Sequence, residues 1–193
     1  ALFLLILSSP LFLIISLIII IDTGFPVFYK PLRAGYKNKP FHIYKFRTMV
    51  KDADKGDGTT ALNDPRITRS GKILRKLKLD EIPQFINVLN GTMSFIGPRP
   101  ELLRYTEQYI DEEKLILEVR PGITDFSSIE FINLDEIVGE ENPDEMYEKY
   151  VLKKKNELRV KYSKDVSAKT DAMLFINTCL QVLKKAIRVI RKK

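Results

Sequence analysis

Two short runs hold the residues best suited to chemistry on a phosphate: Lys78-Leu79-Asp80-Glu81-Ile82-Pro83-Gln84 and Ser94-Phe95-Ile96-Gly97-Pro98-Arg99-Pro100-Glu101. The first sets two adjacent carboxylates beside a basic stretch. A carboxylate that attacks phosphorus must be ionised, and one anion approaches another only where cations neutralise the charge. The second run supplies such a cation. Prolines on both sides of Arg99 remove backbone freedom, so its planar fork is held on a stiff loop and can grip two phosphate oxygens at once. On the residues alone other readings stand beside this one. Acidic pairs near prolines also serve as helix caps, and Arg99 can pair with Glu101 or another surface acid.

The elements that position these groups follow from local pattern. Ile73, Leu74 and Leu77 make an apolar stripe among Lys72, Arg75, Lys76 and Lys78, which predicts a helix over Gly71 to Leu79. Pro83 pushes Ile82 out of the helical region and opens a second helix over Pro83 to Leu89. Asp80 and Glu81 then occupy a helix-to-helix junction, just ahead of free N–H groups that favour an ionised acid. Val27 to Arg33 and Phe41 to Met49 read as two short strands around a turn containing Gly35, Asn38 and Pro40. Lys45 and Arg47 fall on one face of the second strand, which suits an anion-facing surface. From Lys51 to Arg69 the chain is polar and reads as a loop. Its Asp52-Ala53-Asp54 lacks the later glutamate of a calcium loop and reads as solvated.

The first segment, Ala1 to Ile21, carries no charge and is long enough as a helix to cross a bilayer core. Pro10 removes a hydrogen bond near its middle, and the hydroxyls of Ser8 and Ser9 are placed to serve the freed backbone group. No basic region precedes the run, which speaks against a secretory signal peptide. Lys30, Arg33, Lys37 and Lys39 follow it and place the remainder on the cytoplasmic side. Glu101 to Glu118 reads as a helix of broken apolar periodicity, ended by Pro121-Gly122, and Asp135 to Lys161 reads as a charged, solvated outer helix. Ser167 to Lys193 is an apolar helix with a basic end, either interfacial at a membrane or a core helix with a cationic tail.

Composition narrows the partners. The chain has 193 residues and a net charge of +7, enough for one modest domain plus a membrane element, with an anionic partner. The lone Cys179 excludes an internal disulfide, and the lone His42 excludes a multi-histidine metal cluster. Any metal is therefore a hard cation held by oxygen, most simply Mg²⁺. The basic segments lack the interleaved aromatics and reading motifs of nucleic-acid binding. Walker loops, dinucleotide fingerprints and zinc spacings are absent from the sequence.

Five segments carry a family resemblance: Lys45-Phe46-Arg47-Thr48-Met49, Asn63-Asp64-Pro65-Arg66-Ile67-Thr68-Arg69, Leu79 to Leu89, Gly97-Pro98-Arg99-Pro100-Glu101 and Val119-Arg120-Pro121-Gly122-Ile123-Thr124. In order and spacing they resemble the bacterial sugar transferases, the monotopic phosphoglycosyl transferases. The resemblance implies transfer of a sugar-1-phosphate from a UDP-sugar to undecaprenyl phosphate, releasing UMP. Asp80 is implied as the nucleophile that forms an aspartyl phosphosugar, and Glu81 as its neighbour, the two associated with Mg²⁺. Lys45, Arg75 and Arg99 match substrate-binding positions, and Asp171 resembles an acidic position at the start of the last helix. Lys78 and Thr92 stand where many members carry Ser and Asp. The Asp125-Phe126-Ser127-Ser128-Ile129-Glu130-Phe131 run is similar to that of members that begin bacterial N-linked glycan synthesis, which makes UDP-N,N'-diacetylbacillosamine the expected donor.

The expected fold is α+β and mostly helical, with a small β-hairpin, an N-terminal re-entrant membrane helix and interfacial amphipathic helices. Residues 1–21 form the membrane helix: on the residues alone a kinked spanning helix stands beside a re-entrant one, and the family resemblance implies the re-entrant form, broken at Ser9-Pro10. Residues 22–193 form the catalytic domain on the cytoplasmic face of the bacterial inner membrane. Its partners are the UDP-sugar, undecaprenyl phosphate and phospholipid, with downstream glycosyltransferases to take the product and no nucleic acid. Two other classes remain in view: a membrane-anchored glycosyltransferase releasing UDP, and a non-catalytic basic scaffold.

Overall fold

The computed structural model describes residues 1–53, 59–61 and 63–191. Asp54 of the Asp-Ala-Asp run and Lys192 and Lys193 of the basic tail lie outside the described residues. Helix α1, Leu2–Thr23, continues through Pro10. The missing proline N–H would have met Ile6 O, and Ser9 Oγ donates to that carbonyl instead at 2.8 Å. Ser8 Oγ donates to Leu4 O at 2.7 Å. Helical structure is thus not broken at Ser9-Pro10 as expected, and it runs two residues past Ile21. By length and composition α1 is able to cross a membrane. Its two halves differ. Leu2, Phe3, Ile6 and Leu7 are exposed, whereas Ile15 and Ile19 are buried against Val27, Phe46 and Leu74.

The hairpin forms, in two pieces. Strand β1 (Phe28–Tyr29) pairs antiparallel with β4 (Lys45–Phe46), and β2 (Leu32–Ala34) with β3 (Pro40–His42), in one continuous register. The register holds for one bond more, with Arg47 N donating to Val27 O at 2.8 Å, and the Arg47 fork is then engaged beyond the strand. It turns to the end of α1, where its Nη2 donates to Thr23 O at 3.1 Å and to Thr23 Oγ1 at 2.6 Å. A cation there meets the negative pole of the helix and its unpaired carbonyls. Arg47 still lines the same cavity as Lys45, and its Nε and Nη1 are buried without a hydrogen-bond partner.

Helix α2, Arg69–Lys76, begins two residues earlier than predicted because Thr68 caps it, its Oγ1 accepting from Gly71 N at 2.9 Å. Asp22 of α1 accepts from Ser70 N at 3.0 Å and Ser70 Oγ at 2.7 Å, locking the two helices. Helix α3 is Gln84–Leu89. Its buried Asn87 donates to His42 O at 2.8 Å and accepts from Tyr44 N at 2.9 Å, holding the hairpin against it.

Strand β5 (Ser94–Ile96) lies ahead of α4 (Leu103–Thr106), a 3₁₀ run over Asp111–Glu118, and β6 (Gly122–Thr124). The single helix expected over Glu101 to Glu118 is therefore two short pieces. β5 and β6 pair in parallel, a contact the sequence pattern did not announce. Their close approach needs glycine: a Cβ on Gly122 would lie 2.2 Å from Gly97 N, and one on Gly97 would lie 2.4 Å from Arg120 O. Then come α5 (Phe126–Glu130), α6 (Leu134–Val138), α7 (Pro143–Met146), a π turn at Tyr147–Leu152, α8 (Lys153–Lys164) and α9 (Ala168–Arg191). The α8 region is not a solvated outer helix: Lys155, Asn156, Arg159, Val160 and Tyr162 are buried. Helix α9 packs inward through Leu174 and Thr178, whose hydroxyl is 2.8 Å from that of Thr124. Met173, Ile176, Leu180, Leu183 and Ile187 form an exposed apolar stripe along its other side.

Candidate active site

Lys78 makes the bend that presents the acid pair. It adopts the left-handed conformation at φ 59°, ψ 20°, ending α2 and feeding a 3₁₀ turn over Leu79–Glu81. That conformation costs a non-glycine residue about 1–2 kcal/mol, and such strain persists where the surroundings hold it. Leu79 packs against the Ile15–Ile19 core of α1. The junction predicted between two helices is therefore present, and it is anchored on the apolar N-terminal helix.

Within it the two acids have opposite environments. Glu81 is clamped: Lys45 Nζ donates to Oε1 at 2.9 Å, Arg99 Nη2 to the same oxygen, and Arg99 Nη1 to Oε2 at 3.2 Å. Burial works against the Glu81 charge, but Arg99, Lys45 and Lys78 together hold its carboxyl well below the usual range. Asp80 is 8% exposed and its Oδ1 is buried with no hydrogen-bond partner. Burial first and the Glu81 charge second push the Asp80 carboxyl above the usual range, while Lys45, Lys78 and Arg75 oppose them. Burial thus works against the firm ionisation that a helix junction alone would give Asp80. Two carboxylates with divergent environments and one unspent oxygen are what a nucleophile and its electrostatic neighbour require.

Arg99 is held as its proline frame predicts. Its fork spans both oxygens of Glu81, Nη1 also donates to Ile123 O at 3.0 Å, and its backbone N donates to Asp125 Oδ2 at 3.3 Å. It pairs with neither Glu101 nor a surface acid. Glu101 is taken by Arg159 at 3.1 Å and by the Tyr147 hydroxyl. Asp125, fully buried, also accepts from Ser128 N at 2.7 Å and from the Ser127 and Ser128 hydroxyls. The Asp-Phe-Ser-Ser run is thereby a helix cap built under Arg99.

Asp80, Glu81, Lys45, Arg75 and Arg99 line one cleft of about 1330 Å³. Among the described residues its lining carries twelve Lys and Arg against five Asp and Glu, an excess suited to a ligand with several negative charges. Asp171 is not among these residues. It accepts from Tyr162 Oη at 2.8 Å and ties α8 to α9. Two participants escaped the sequence reading. Asn87 fixes the hairpin that carries Lys45, and Lys155 reaches the cleft from α8.

The described residues contain no cluster of three or more His, Cys, Asp or Glu able to hold a metal. Mg²⁺ needs less, since it takes one or two carboxylates and completes its shell with substrate phosphates and water. Asp80 with its unpartnered Oδ1, and Glu81 beside it, fit that smaller donor set.

Comparison with known proteins adds to this geometry. The family model described as bacterial sugar transferase matches residues 1–185. The chain is 41% identical over 129 residues to the uncharacterized sugar transferase EpsL of Bacillus subtilis, covering 67% of this chain and 63% of that protein. It is 43% identical over 129 residues to the UDP-glucose:undecaprenyl-phosphate glucose-1-phosphate transferase of Escherichia coli, covering 65% of this chain and 28% of that protein. Identity is 41% over 127 residues to the UDP-N-acetylgalactosamine-undecaprenyl-phosphate N-acetylgalactosaminephosphotransferase of Aeromonas hydrophila, with 64% of this chain and 30% of that protein covered. The chain thus spans under two thirds of each of these relatives.

Proposed function

The chain belongs to the bacterial sugar transferase family, and from that premise we propose that it moves a sugar-1-phosphate from a UDP-sugar to undecaprenyl phosphate, releasing UMP. The observation that carries the proposal is the acid pair: a buried Asp80 with a free oxygen, beside a Glu81 neutralised by Arg99 and Lys45, in a cationic cleft. Relatives named for UDP-glucose and UDP-N-acetylgalactosamine, both acting with undecaprenyl phosphate, support the substrate classes.

In the first step Asp80 attacks the sugar-proximal phosphorus. A carboxylate oxygen–phosphorus bond forms, the bond from that phosphorus to the bridging oxygen breaks, and UMP leaves with the electron pair. In the second step a phosphate oxygen of undecaprenyl phosphate attacks the same phosphorus and Asp80 leaves as carboxylate. Ground-state repulsion between the attacking carboxylate and the pyrophosphate is lowered by the local cations Lys45, Arg75 and Arg99. Glu81 orients Arg99 and Lys45 through the hydrogen bonds given above. Mg²⁺, held by Asp80 and Glu81, would supply charge neutralisation on the phosphates.

Helix α1 is proposed as the membrane element, re-entrant by a bend about Pro10 while it stays helical through that residue, with the domain on the cytoplasmic face of the inner membrane. Its docked C-terminal half and exposed N-terminal half support that reading. The apolar stripe of α9, with Lys184 and Arg188 nearby, supports a second, interfacial contact. The donor proposed first is UDP-N,N'-diacetylbacillosamine, because Ser127 and Ser128 of the distinctive run line the cleft. Downstream glycosyltransferases would consume the lipid-linked product.

The test is product analysis with purified protein, Mg²⁺, undecaprenyl phosphate and a panel of UDP-sugars that includes the bacillosamine derivative. UMP release with a phosphosugar adduct on Asp80 is expected. Release of UDP would make the protein a glycosyltransferase, and no release with any donor would leave a scaffold.

A further inference from the structure

Behind Arg99 the cleft meets a second cationic cluster for which the acid-pair chemistry has no use. Lys155 of α8 lines the cleft and is 7% exposed. Its Nζ lies 4.8 Å from the Tyr147 ring centroid and 3.3 Å from Tyr147 Oη, and it has no carboxylate partner among the described residues. The acids that act on it, Glu101 and Asp125, are already spent. Glu101 is bound by Arg159 at 3.1 Å and by the Tyr147 hydroxyl, and Asp125 is consumed by Ser127, Ser128 and the Arg99 backbone. The groups acting on the amine are Arg159 and Tyr147 from its own helical stretch, Glu101 and Arg99 from the loop after β5, and Asp125 ahead of α5. A buried amine whose direct contacts are a phenol and its ring lacks the adjacent anion that would hold it charged.

We propose that Lys155 is a phosphate-binding residue: it waits in the cleft for a phosphoryl oxygen of a substrate, which becomes its missing anionic partner. The proposal rests on the phosphoglycosyl-transfer reading for the identity of that anion. Both substrates carry a phosphate, the nucleotide and the polyprenyl acceptor, and the chemistry of Lys155 serves either. The state of the amine agrees with an unmet charge. Burial first and Arg159 second, opposed by Glu101, bring its pKa down to about 7. An arriving phosphate raises it again, so binding near pH 7.5 draws a proton onto Lys155.

The experiment has two arms on the full chain. In the first, UMP is titrated calorimetrically at pH 7.5, where its phosphate is a dianion, in buffers of different ionisation enthalpy. This arm needs no turnover. If Lys155 holds the nucleotide phosphate, wild type takes up a proton. Lys155→Met then weakens UMP by about tenfold or more, the scale of one charge-assisted hydrogen bond. Lys155→Arg, always charged, restores affinity and abolishes the uptake. In the second arm the KM for undecaprenyl phosphate is measured. A rise in Lys155→Met, restored in Lys155→Arg, with UMP affinity unchanged, assigns the phosphate to the acceptor. If Lys155→Met leaves both quantities within about twofold of wild type, or if the Arg variant restores neither, the proposal is overturned. A wild type that binds UMP with proton uptake yet transfers no sugar phosphate refutes the reaction and keeps the site.

Discussion

Asp80→Asn separates the two demands on the acid pair, because the change conserves shape and removes only charge. Activity should fall by at least about 10³-fold, the scale on which loss of a nucleophile is felt. Stability should move the other way. Asp80 is buried, its Oδ1 lacks a partner, and it adjoins the Glu81 charge. An unsatisfied buried polar group costs about 1–3 kcal/mol and a charged one more. The asparagine amide inherits part of that penalty, which leaves a net gain of about 1 kcal/mol, or about 2–4 °C in Tm for a chain of this size. The sign with pH follows from the raised carboxyl. Folded Asp80 holds its proton more tightly than the unfolded chain does, so wild type loses stability as pH rises through the folded pKa. The advantage of the variant is therefore full above that pKa and vanishes below the ordinary carboxylate range. Paired measurements of UMP release and thermal unfolding between pH 4 and 8 check both halves. A variant that turns over within about tenfold of wild type, with deamidation excluded, or one whose Tm drops at pH 7.5, would refute the reasoning.

Three further outcomes follow from the same contacts. Arg99→Lys keeps the charge but cannot span both Glu81 oxygens and Ile123 O, so loss of one charge-assisted bond should cost about 1.5–3 kcal/mol of transition-state stabilisation; unchanged kinetics would remove Arg99 from the chemistry. Glu81→Gln leaves Lys45 and Arg99 without their shared carboxylate and should lower stability by about 3 kcal/mol at pH 7, alter the Mg²⁺ dependence and abolish turnover. Because the Glu81 carboxyl is depressed, its contribution exists above the ordinary glutamate range and is lost as pH falls through the folded pKa; a Tm difference that stays constant down to pH 2 would contradict this. Replacing Ser9 and Pro10 by Ala and Leu restores the N–H toward Ile6 O and favours a straight, spanning α1. Thiol tags at either end, probed with an impermeant reagent, should then report opposite faces in the variant and one face in the unmutated protein.

The acid pair and the arginine were legible in the sequence because their framing is local. Prolines at 83, 98 and 100 restrict their neighbours whatever the rest of the chain does. What escaped depends on distant partners. Arg47 lines the same cleft as Lys45, as period-two reasoning expects, but no local pattern announces that its Nη2 is taken by the open end of α1. A lysine-rich stretch such as Lys153-Lys154-Lys155 reads as solvated. Only the packing of α8 against the 3₁₀ run and α5 shows that Lys153 and Lys154 face out while Lys155 is enclosed. The β5–β6 pairing was hidden for the same reason: Gly97-Pro98 and Pro121-Gly122 each read as a local turn signal, and nothing local shows that these glycines, 25 positions apart, pack against each other.

Ile15 and Ile19 share a core with Leu74 of α2, and Leu79 packs on it immediately before Asp80. Arg47 closes the end of α1, and Asp22 holds Ser70 in the first turn of α2. These contacts make the apolar helix part of the support that sets the acid pair. If α1 lies in the bilayer, the depth of Asp80 relative to the lipid headgroups is fixed by packing and not by a tether. A lipid-borne phosphate would then reach the nucleophile without leaving the interface, while the nucleotide enters the cationic cleft from water. Loosening that core should slow the lipid-dependent second step before the first. Ile19→Ala, which opens a cavity worth about 2–5 kcal/mol, should raise the KM for undecaprenyl phosphate while formation of the aspartyl adduct from UDP-sugar persists in the folded fraction. Equal loss in both steps would mean that α1 serves only as a tether.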